Sequence, residues 1–389
     1  MKFVGARTRS LSTDGPPSST PPSRRRRTGG LIIVVLILVA ASVVVDPSLS
    51  ATLVRDYSAL ASLLPGGNSA SSISVGTSTG SCSSAVTILP LSNPDIVNGS
   101  AAVAYPPDYC TLAEYTLAQI NADRAANGTG PVALGFNRAA QQHADSMLYY
   151  SYFSHFDTQG YKPYMRYTLL GGRGADFENV AYSEYSAGLF GRTVAVESAI
   201  KNLEHLMVYD DVVCCNNGHR YNILNPLHNF VSIGVAYNST YVFLDEEFQN
   251  EYLGLNLTVT AASSPSPYQV TMRGTPISGT PTPTAIYVAF DTTPAPETRA
   301  QLESGPHEYG PGTVSGGVLP QTGLFGGCGQ FTTGITECAG RWVFNSSALY
   351  ISFSLDQFVK EDGPGVYTIY LVTGPSTDTA MTTLSVFVS

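Results

Sequence analysis

Three short polar segments of this 389-residue chain hold residues that could do chemistry. Phe153-Ser154-His155-Phe156-Asp157 carries an imidazole. Phe177-Glu178-Asn179-Val180-Ala181 carries a carboxylate and an amide. Gly218-His219-Arg220-Tyr221-Asn222 adds a second imidazole and a second amide. Two neutral imidazoles with carboxylates in one cleft make a site for Zn²⁺ or another divalent ion such as Ca²⁺ or Mg²⁺. If only His155 and His219 coordinate, open positions remain for water, and the carboxylate serves as an orienting partner or a general base. Without a metal, Glu178 beside a histidine is an acid–base pair. The plainer alternative is structural, with Glu178 and Asn179 anchoring backbone groups and His219 capping the helix that follows at Tyr221-Asn222. Other chemistries find no support. No His-Glu-x-x-His occurs, which removes zincin-type proteolysis. Gly76-Thr77-Ser78-Thr79-Gly80 matches a nucleophile elbow in letters only, because Ser-rich coil flanks it where a strand and a helix are needed. Ser154 and His155, as neighbours on a turn, point apart.

The segments need elements to bring them together. Leu112, Tyr115, Leu117-Ala118 and Ile120 repeat with helical spacing, and Asn127-Gly128 stops that helix. Ala139-Ala140, His143-Ala144, Met147-Leu148 and Tyr150 predict a second amphipathic helix, in which His143 reads as a satisfied structural histidine. A third helix is expected over Thr193–Met207. Val231–Ala236 and Thr240–Leu244 read as strands joined at the Asn238-Ser239 turn. Helices alternating with antiparallel strands define an α+β unit. From residue 257 to 389 the pattern becomes short alternating runs between Gly/Pro-rich turns, without a helical period, as in an all-β sandwich. Glu361-Asp362-Gly363-Pro364-Gly365-Val366-Tyr367 resembles the turn into a late strand of an immunoglobulin-like domain, closed by a hairpin around Gly374-Pro375. This half reads as a carbohydrate- or wall-facing module or a spacer, and His307 beside Glu308 as a solvated surface pair.

The flanking segments speak of export. Residues 1–28 form a polar, basic tail ending past Arg24-Arg25-Arg26-Arg27, expected to be disordered and cytoplasmic. An uncharged apolar run over 29–45 follows, read as a transmembrane signal-anchor or, alternatively, a cleaved signal peptide, with everything after it extracellular. Residues 46–105 are a Ser/Gly/Pro-rich stalk. Residues 31–389 contain 13 basic against 28 acidic residues, and an acidic body excludes a nucleic-acid partner. The six cysteines contain no C-x-x-C pair, so disulfides are expected over a zinc knuckle. The expected pairs are Cys328–Cys338 and Cys82–Cys110, leaving Cys214-Cys215 to bridge each other or pair elsewhere. Sequons at Asn98, Asn127, Asn238, Asn256 and Asn345 fit a glycosylated exterior.

Taken in order, the Ser154-His155 segment, Glu178-Asn179-Val180-Ala181 and Gly218-His219-Arg220-x-Asn222-Ile223-Leu224-Asn225-Pro226 resemble the CAP superfamily of cysteine-rich secretory, antigen 5 and pathogenesis-related 1 proteins, in its prokaryotic SCP-like form. The Leu112–Asn121 helix, Ala140-x-x-His143-Ala144-x-x-Met147, Ile233-Gly234-Val235 and a closing strand ending near Phe248 extend the likeness over about residues 110–252, within a domain placed at 106–252. The resemblance implies a three-layer α-β-α sandwich with a cleft faced by two histidines and two acids. Carried over, these are His155, His219, Glu178 and an acid on the helix between the last two segments. Glu204 has the spacing closest to the family's, with Glu197, and Asp210 and Asp211 just past the helix end, as alternatives, and Asn179 and Asn222 support the cleft. The chain departs from the family in having no tryptophan on that helix and an insertion at 208–217. What the resemblance implies is a cell-surface binding protein holding a divalent metal, a lipid or a glycan in the His/Glu cleft. The alternatives are a metal-dependent hydrolase of extracellular polymer, or a structural protein of the envelope.

Overall fold

Helix α1 (Tyr109–Ala126) buries Leu112, Thr116, Ile120 and Arg124 at four-residue spacing, so one stripe faces inward. It stops where expected, Gly128 turning at φ 76°. Buried Arg124 donates to the carbonyls of Gly130, Ile223 and Asn225 and so ties this helix end to distant loops. These observations come from a computed structural model, which describes residues 109–184, 195–260, 268–306, 308–322 and 327–389.

A four-stranded sheet follows in the order β1-β3-β4-β2, comprising β1 (Ala133–Leu134), β2 (Ala175–Glu184), β3 (Phe230–Tyr237) and β4 (Tyr241–Asn250). The β3–β4 hairpin turns at Asn238, whose side-chain oxygen accepts from the Thr240 and Tyr241 amides at 2.8 Å each. Strand alternation divides the sheet into two faces. Val231, Ile233, Val235, Leu244, Phe248 and Phe177 pack in one cluster with residues of α1 and α4 (Val196–Tyr209). Helix α2 (Ala139–Tyr150) lies on the other face, where Gly234 is required: a Cβ there would stand 2.1 Å from the Ala140 carbonyl oxygen. Helix α3 (Pro163–Leu169) packs beside β2. The fold is mixed α+β, with helices over both faces of an open sheet.

The C-terminal half holds two further open sheets. One runs β10 (Arg341–Asn345), β11 (Ala348–Ser354), β6 (Gln269–Pro276), β5 (Leu253–Thr260). The other runs β13 (Ala380–Val388), β12 (Gly365–Val372), β7 (Ala285–Asp291), β8 (Thr313–Leu319), β9 (Ile335–Cys338). Val270, Met272, Ile351 and Phe353 of the first meet Ile286, Val288, Ile369 and Leu371 of the second in one core. The closing hairpin around Gly374-Pro375 is present as the β12–β13 pair.

Two expectations change. Strand β5 starts at Leu253, ahead of the boundary read at 257, and pairs with β6 along its length. Two helices, α7 (Arg299–Ser304) and α8 (Asp356–Asp362), interrupt a region read as free of them. They are six and seven residues long, too short to establish a helical period in sequence, and α7 is started by a Thr298/Gln301 capping box. Beyond these two, this half packs directly against the first region. Ala285, Ala289, Tyr370, Val372 and Ala380 join the core of the first region, and the Thr383 amide donates to Gly174 at 3.0 Å.

Cys328–Cys338 is formed, and Cys214 bridges its neighbour Cys215. Cys110 is also disulfide-bonded; Cys82, its expected partner, lies outside the described residues, as do the tail, the 29–45 run, the stalk, the Gly76–Gly80 segment and His307. No described helix is long and apolar enough to cross a membrane. Asn127, Asn238 and Asn345 are exposed.

Candidate functional site

Edge strand β2 brings the polar segments together. Among the described residues it pairs only with β4, so the backbone groups of Glu178 on its free side need partners. The Glu178 amide donates to the Tyr309 hydroxyl at 2.6 Å, and Asn222 Nδ2 donates to the Glu178 carbonyl at 3.4 Å. His155, in the loop between α2 and α3, and His219, in the first turn of α6 (Gly218–Leu224), are each 1% exposed. They stand close enough for His219 to oppose protonation of His155.

Each imidazole is held from behind. His155 Nδ1 donates to Glu178 Oε2 at 2.5 Å, and the ring lies 4.8 Å from that of Tyr309. His219 Nδ1 donates to Asp211 Oδ1 at 2.6 Å. With both Nδ1 atoms occupied as donors, both Nε2 atoms are left as the lone-pair nitrogens, buried and without a partner. Burial pushes the His155 pKa down, working against the Glu178 hydrogen bond, and so favours the neutral ring. Asn179 and Asn222 form the supporting link: Asn222 Nδ2 donates to Asn179 Oδ1 at 3.0 Å, and Asn179 Nδ2 to the His219 carbonyl at 3.3 Å.

Glu178 is an anion by construction. Burial opposes its charge, yet Arg166, His143 and His155 pull its pKa down to about 2. Arg166 Nη2 donates to Glu178 Oε1, and Arg166 Nη1 to the carbonyls of His155 and Tyr161 at 2.8 and 2.9 Å. His143 donates Nε2–H to the Ser154 carbonyl at 2.8 Å, the structural role expected of it. Burial, with Arg166 nearby, pushes its pKa down to about 3.

Glu204 is buried on α4, whereas Glu197 and Asp210 are exposed. Glu204 does not join Glu178. Glu178 and Asn179 are consecutive on a strand and point to opposite faces, and Glu204 lies on the Asn179 side against Glu246 of β4. Burial raises the pKa of both acids, Glu204 further because Glu246 stands beside it. Glu246 in turn is stabilised by Asn179 and by His219.

The sequence reading missed Arg166, Asp211 as the partner of His219, Glu246 and Tyr309. Asp211 is the one with a local signal, an acid eight residues before the histidine in the 208–217 insertion. A second grouping forms there, Asp211, Cys214, Cys215 and His219 lying with ligand-capable atoms within 4.8 Å of one another. The disulfide between the two sulfurs, on the short helix α5 (Val212–Cys215), withholds the thiolates a metal would need. Comparison with protein-family models and with curated proteins returned no match.

Proposed function

We propose that this chain is a CAP-type surface protein whose His155/His219 cleft binds a divalent cation of imidazole preference, Zn²⁺ in the first instance. One observation carries the reading: two buried Nε2 atoms without partners, each on a ring whose Nδ1–H is fixed by a carboxylate. That arrangement fixes the tautomer and raises ligand basicity in metal sites. His155 and His219 would hold the metal, with Glu178 and Asp211 as their positioning partners. The CAP assignment draws support from the chain order of α1, His155, the Glu178 strand, the Glu204 helix, the His219 helix and the closing hairpin, with helices on both faces of the sheet. The immunoglobulin-like reading of the C-terminal half draws on two sheets sharing one core. Surface location follows from the basic tail and the apolar 29–45 run.

The hydrolase alternative is weaker, because imidazoles that are 1% exposed leave a polymer substrate no approach. The test is Zn²⁺ titration of the full-length chain by calorimetry and thermal shift, wild type beside His155→Ala/His219→Ala. Saturation at 100 times the dissociation constant is expected to add about 2.7 kcal/mol of stability, absent from the double variant. A folded wild type without any Zn²⁺ response rules the metal reading out and leaves a structural cleft or a lipid or glycan ligand.

A further inference from the structure

The segment between α4 and α6 gathers sulfur, oxygen and nitrogen donors at one point. Asp211, Cys214, Cys215 and His219 each bring a ligand-capable atom to within 4.8 Å of the others. The local sequence explains the convergence. Cys214 and Cys215 are consecutive on the single turn of α5, about 100° apart around its axis, so their sulfurs emerge on adjoining sides. Asn216 and Asn217 then both take the left-handed conformation, with φ of 47° and 67°, which asparagine tolerates. They turn the chain back, so that the Asn217 amide lies 3.5 Å from the Asp211 carbonyl oxygen and α6 opens with His219 against the Asp211 carboxylate.

The distances suit a tetrahedral ion. Cys214 Sγ stands 3.5 Å from Asp211 Oδ1, and His219 Nδ1 stands 2.6 Å from the same oxygen. Zn²⁺ held at about 2.3 Å by sulfur and about 2.0 Å by nitrogen or oxygen spaces its ligands roughly 3.3–3.8 Å apart, so the carboxylate and the imidazole need to part by less than about 1 Å. The Arg220 amide donates to Asp211 Oδ2 at 3.2 Å, which leaves Oδ1 turned to the sulfur and the ring. Asp211, Cys215 and His219 are buried, whereas Cys214 is half-buried and its neighbour Val213 is 95% exposed. The cluster therefore meets solvent on the Cys214 side, where an ion or a small reductant can reach it. The Cys214–Cys215 bond is what closes it.

We infer that Asp211, Cys214, Cys215 and His219 form a redox-gated Zn²⁺ site, closed by the Cys214–Cys215 disulfide and opened by a dithiol reductant. The dithiol gives two electrons and two protons to the disulfide, whose S–S bond breaks into two thiols, and is itself oxidised to a disulfide. Zn²⁺ then displaces both thiol protons to solvent and is held by two thiolates, Asp211 Oδ1 and His219 Nδ1. To offer Nδ1, His219 exchanges its Nδ1 proton for one on Nε2, the nitrogen left free in the cleft, so a neutral His219 serves one site at a time. Two thiolates make this site softer than the cleft and give a bound metal a signature that imidazole and carboxylate lack.

The test is Co²⁺ titration of the full-length chain followed by absorbance, before and after reduction with dithiothreitol and anaerobic desalting, with Zn²⁺ added last. Cys214→Ser/Cys215→Ser, the milder Cys214→Ser and His155→Ala are run in parallel, with near-UV circular dichroism to confirm their fold. The reduced wild type is expected to show a thiolate-to-cobalt charge-transfer band that Zn²⁺ abolishes and that the oxidised chain lacks. The band should vanish from the double serine variant, weaken in Cys214→Ser, and persist in His155→Ala, which separates this site from the cleft. A reduced wild type without the band would overturn the inference. A band of equal strength in the double serine variant would overturn it too, because the thiolates would then come from elsewhere, such as Cys328 and Cys338.

Discussion

Strands β4 and β12 are both buried along most of their length, and they solve that burial in opposite ways. In β12, Val366 through Val372 are almost all apolar, and the polar exceptions are satisfied. Thr368 Oγ1 meets Ser385 Oγ at 3.1 Å, the Tyr367 hydroxyl donates to the Gly363 carbonyl at 2.6 Å, and the Tyr370 hydroxyl to Pro311 at 3.2 Å. Strand β4 instead buries Asp245, Glu246 and Glu247 in succession, three acids whose pKa burial raises. Ionised groups in a low-dielectric interior are stable only if paired, protonated or bound to a cation. The C-terminal sheets thus bury polar groups that satisfy one another, whereas the N-terminal sheet buries acids whose charge must be paired or protonated away.

The largest effect should come from removing the one guanidinium among those acids. Arg166→Met leaves Glu178 buried without its counter-charge and frees two backbone carbonyls, so a loss of about 3–5 kcal/mol is expected. Ile369→Val, an equally buried site in the C-terminal core, should cost about 0.5–1.5 kcal/mol. Urea melts of both variants decide it. If Arg166→Met proves no more costly than Ile369→Val, the contrast between the two regions fails.

Acid should act on the first region next. His228 is buried, donates from Nδ1 to Asn250 Oδ1 at 2.7 Å, and is stacked on Phe248. Burial, against the Asn250 hydrogen bond, pushes its pKa down to about 3. Its folded-state pKa lies below the unfolded value near 6.5, so the unfolded state binds the extra proton, and stability falls as pH drops from about 6.5 towards 3. At pH 5 that amounts to about 2 kcal/mol relative to pH 7.5. His228→Gln should therefore lose about that much less stability between the two pH values. Parallel profiles for wild type and variant would refute the assignment. His143 acts in the same direction, whereas the raised acids Asp176, Asp245 and Glu247 act in the opposite one, which is why the difference between variant and wild type is the quantity to measure. The described histidines all belong to the first region, so no C-terminal histidine contributes to this slope among the described residues.

Sequence alone made part of this legible. The α1 stripe, the Asn238 hairpin and the Cys328–Cys338 loop follow from local spacing and turn chemistry, which a single sequence displays. The meeting of His155, Glu178 and His219 was legible because three segments carried recognisable residue types. The separation of Glu178 from Glu204 onto two faces was not, since it depends on Glu178 and Asn179 alternating along a strand whose register comes from β4. Arg166 and Tyr309 were hidden for a related reason: one reads as an ordinary surface cation, and the other lies 131 residues from the amide it receives. Nothing in the sequence marks Asp245-Glu246-Glu247 as buried, because acids are almost never fully buried unless paired.

The smallest effect concerns the seam between the two regions. Tyr309 comes from the C-terminal half, yet its hydroxyl accepts the Glu178 amide at the free edge of β2. Tyr309→Phe keeps the ring against His155 and removes that acceptor, leaving a buried N–H unsatisfied, for an expected cost of about 1–2 kcal/mol. Tyr287→Phe is the matched control. It removes a hydroxyl bonded to the Pro375 carbonyl at 2.6 Å in an exposed setting, where water can take over the bond, and less than about 0.5 kcal/mol should be lost. Amide exchange adds a local readout: the Glu178 N–H should exchange faster in Tyr309→Phe and be unchanged in Tyr287→Phe. Equal costs and equal exchange in the two variants would mean that the edge of β2 is sealed without Tyr309, and that the C-terminal half supports the cleft only by packing.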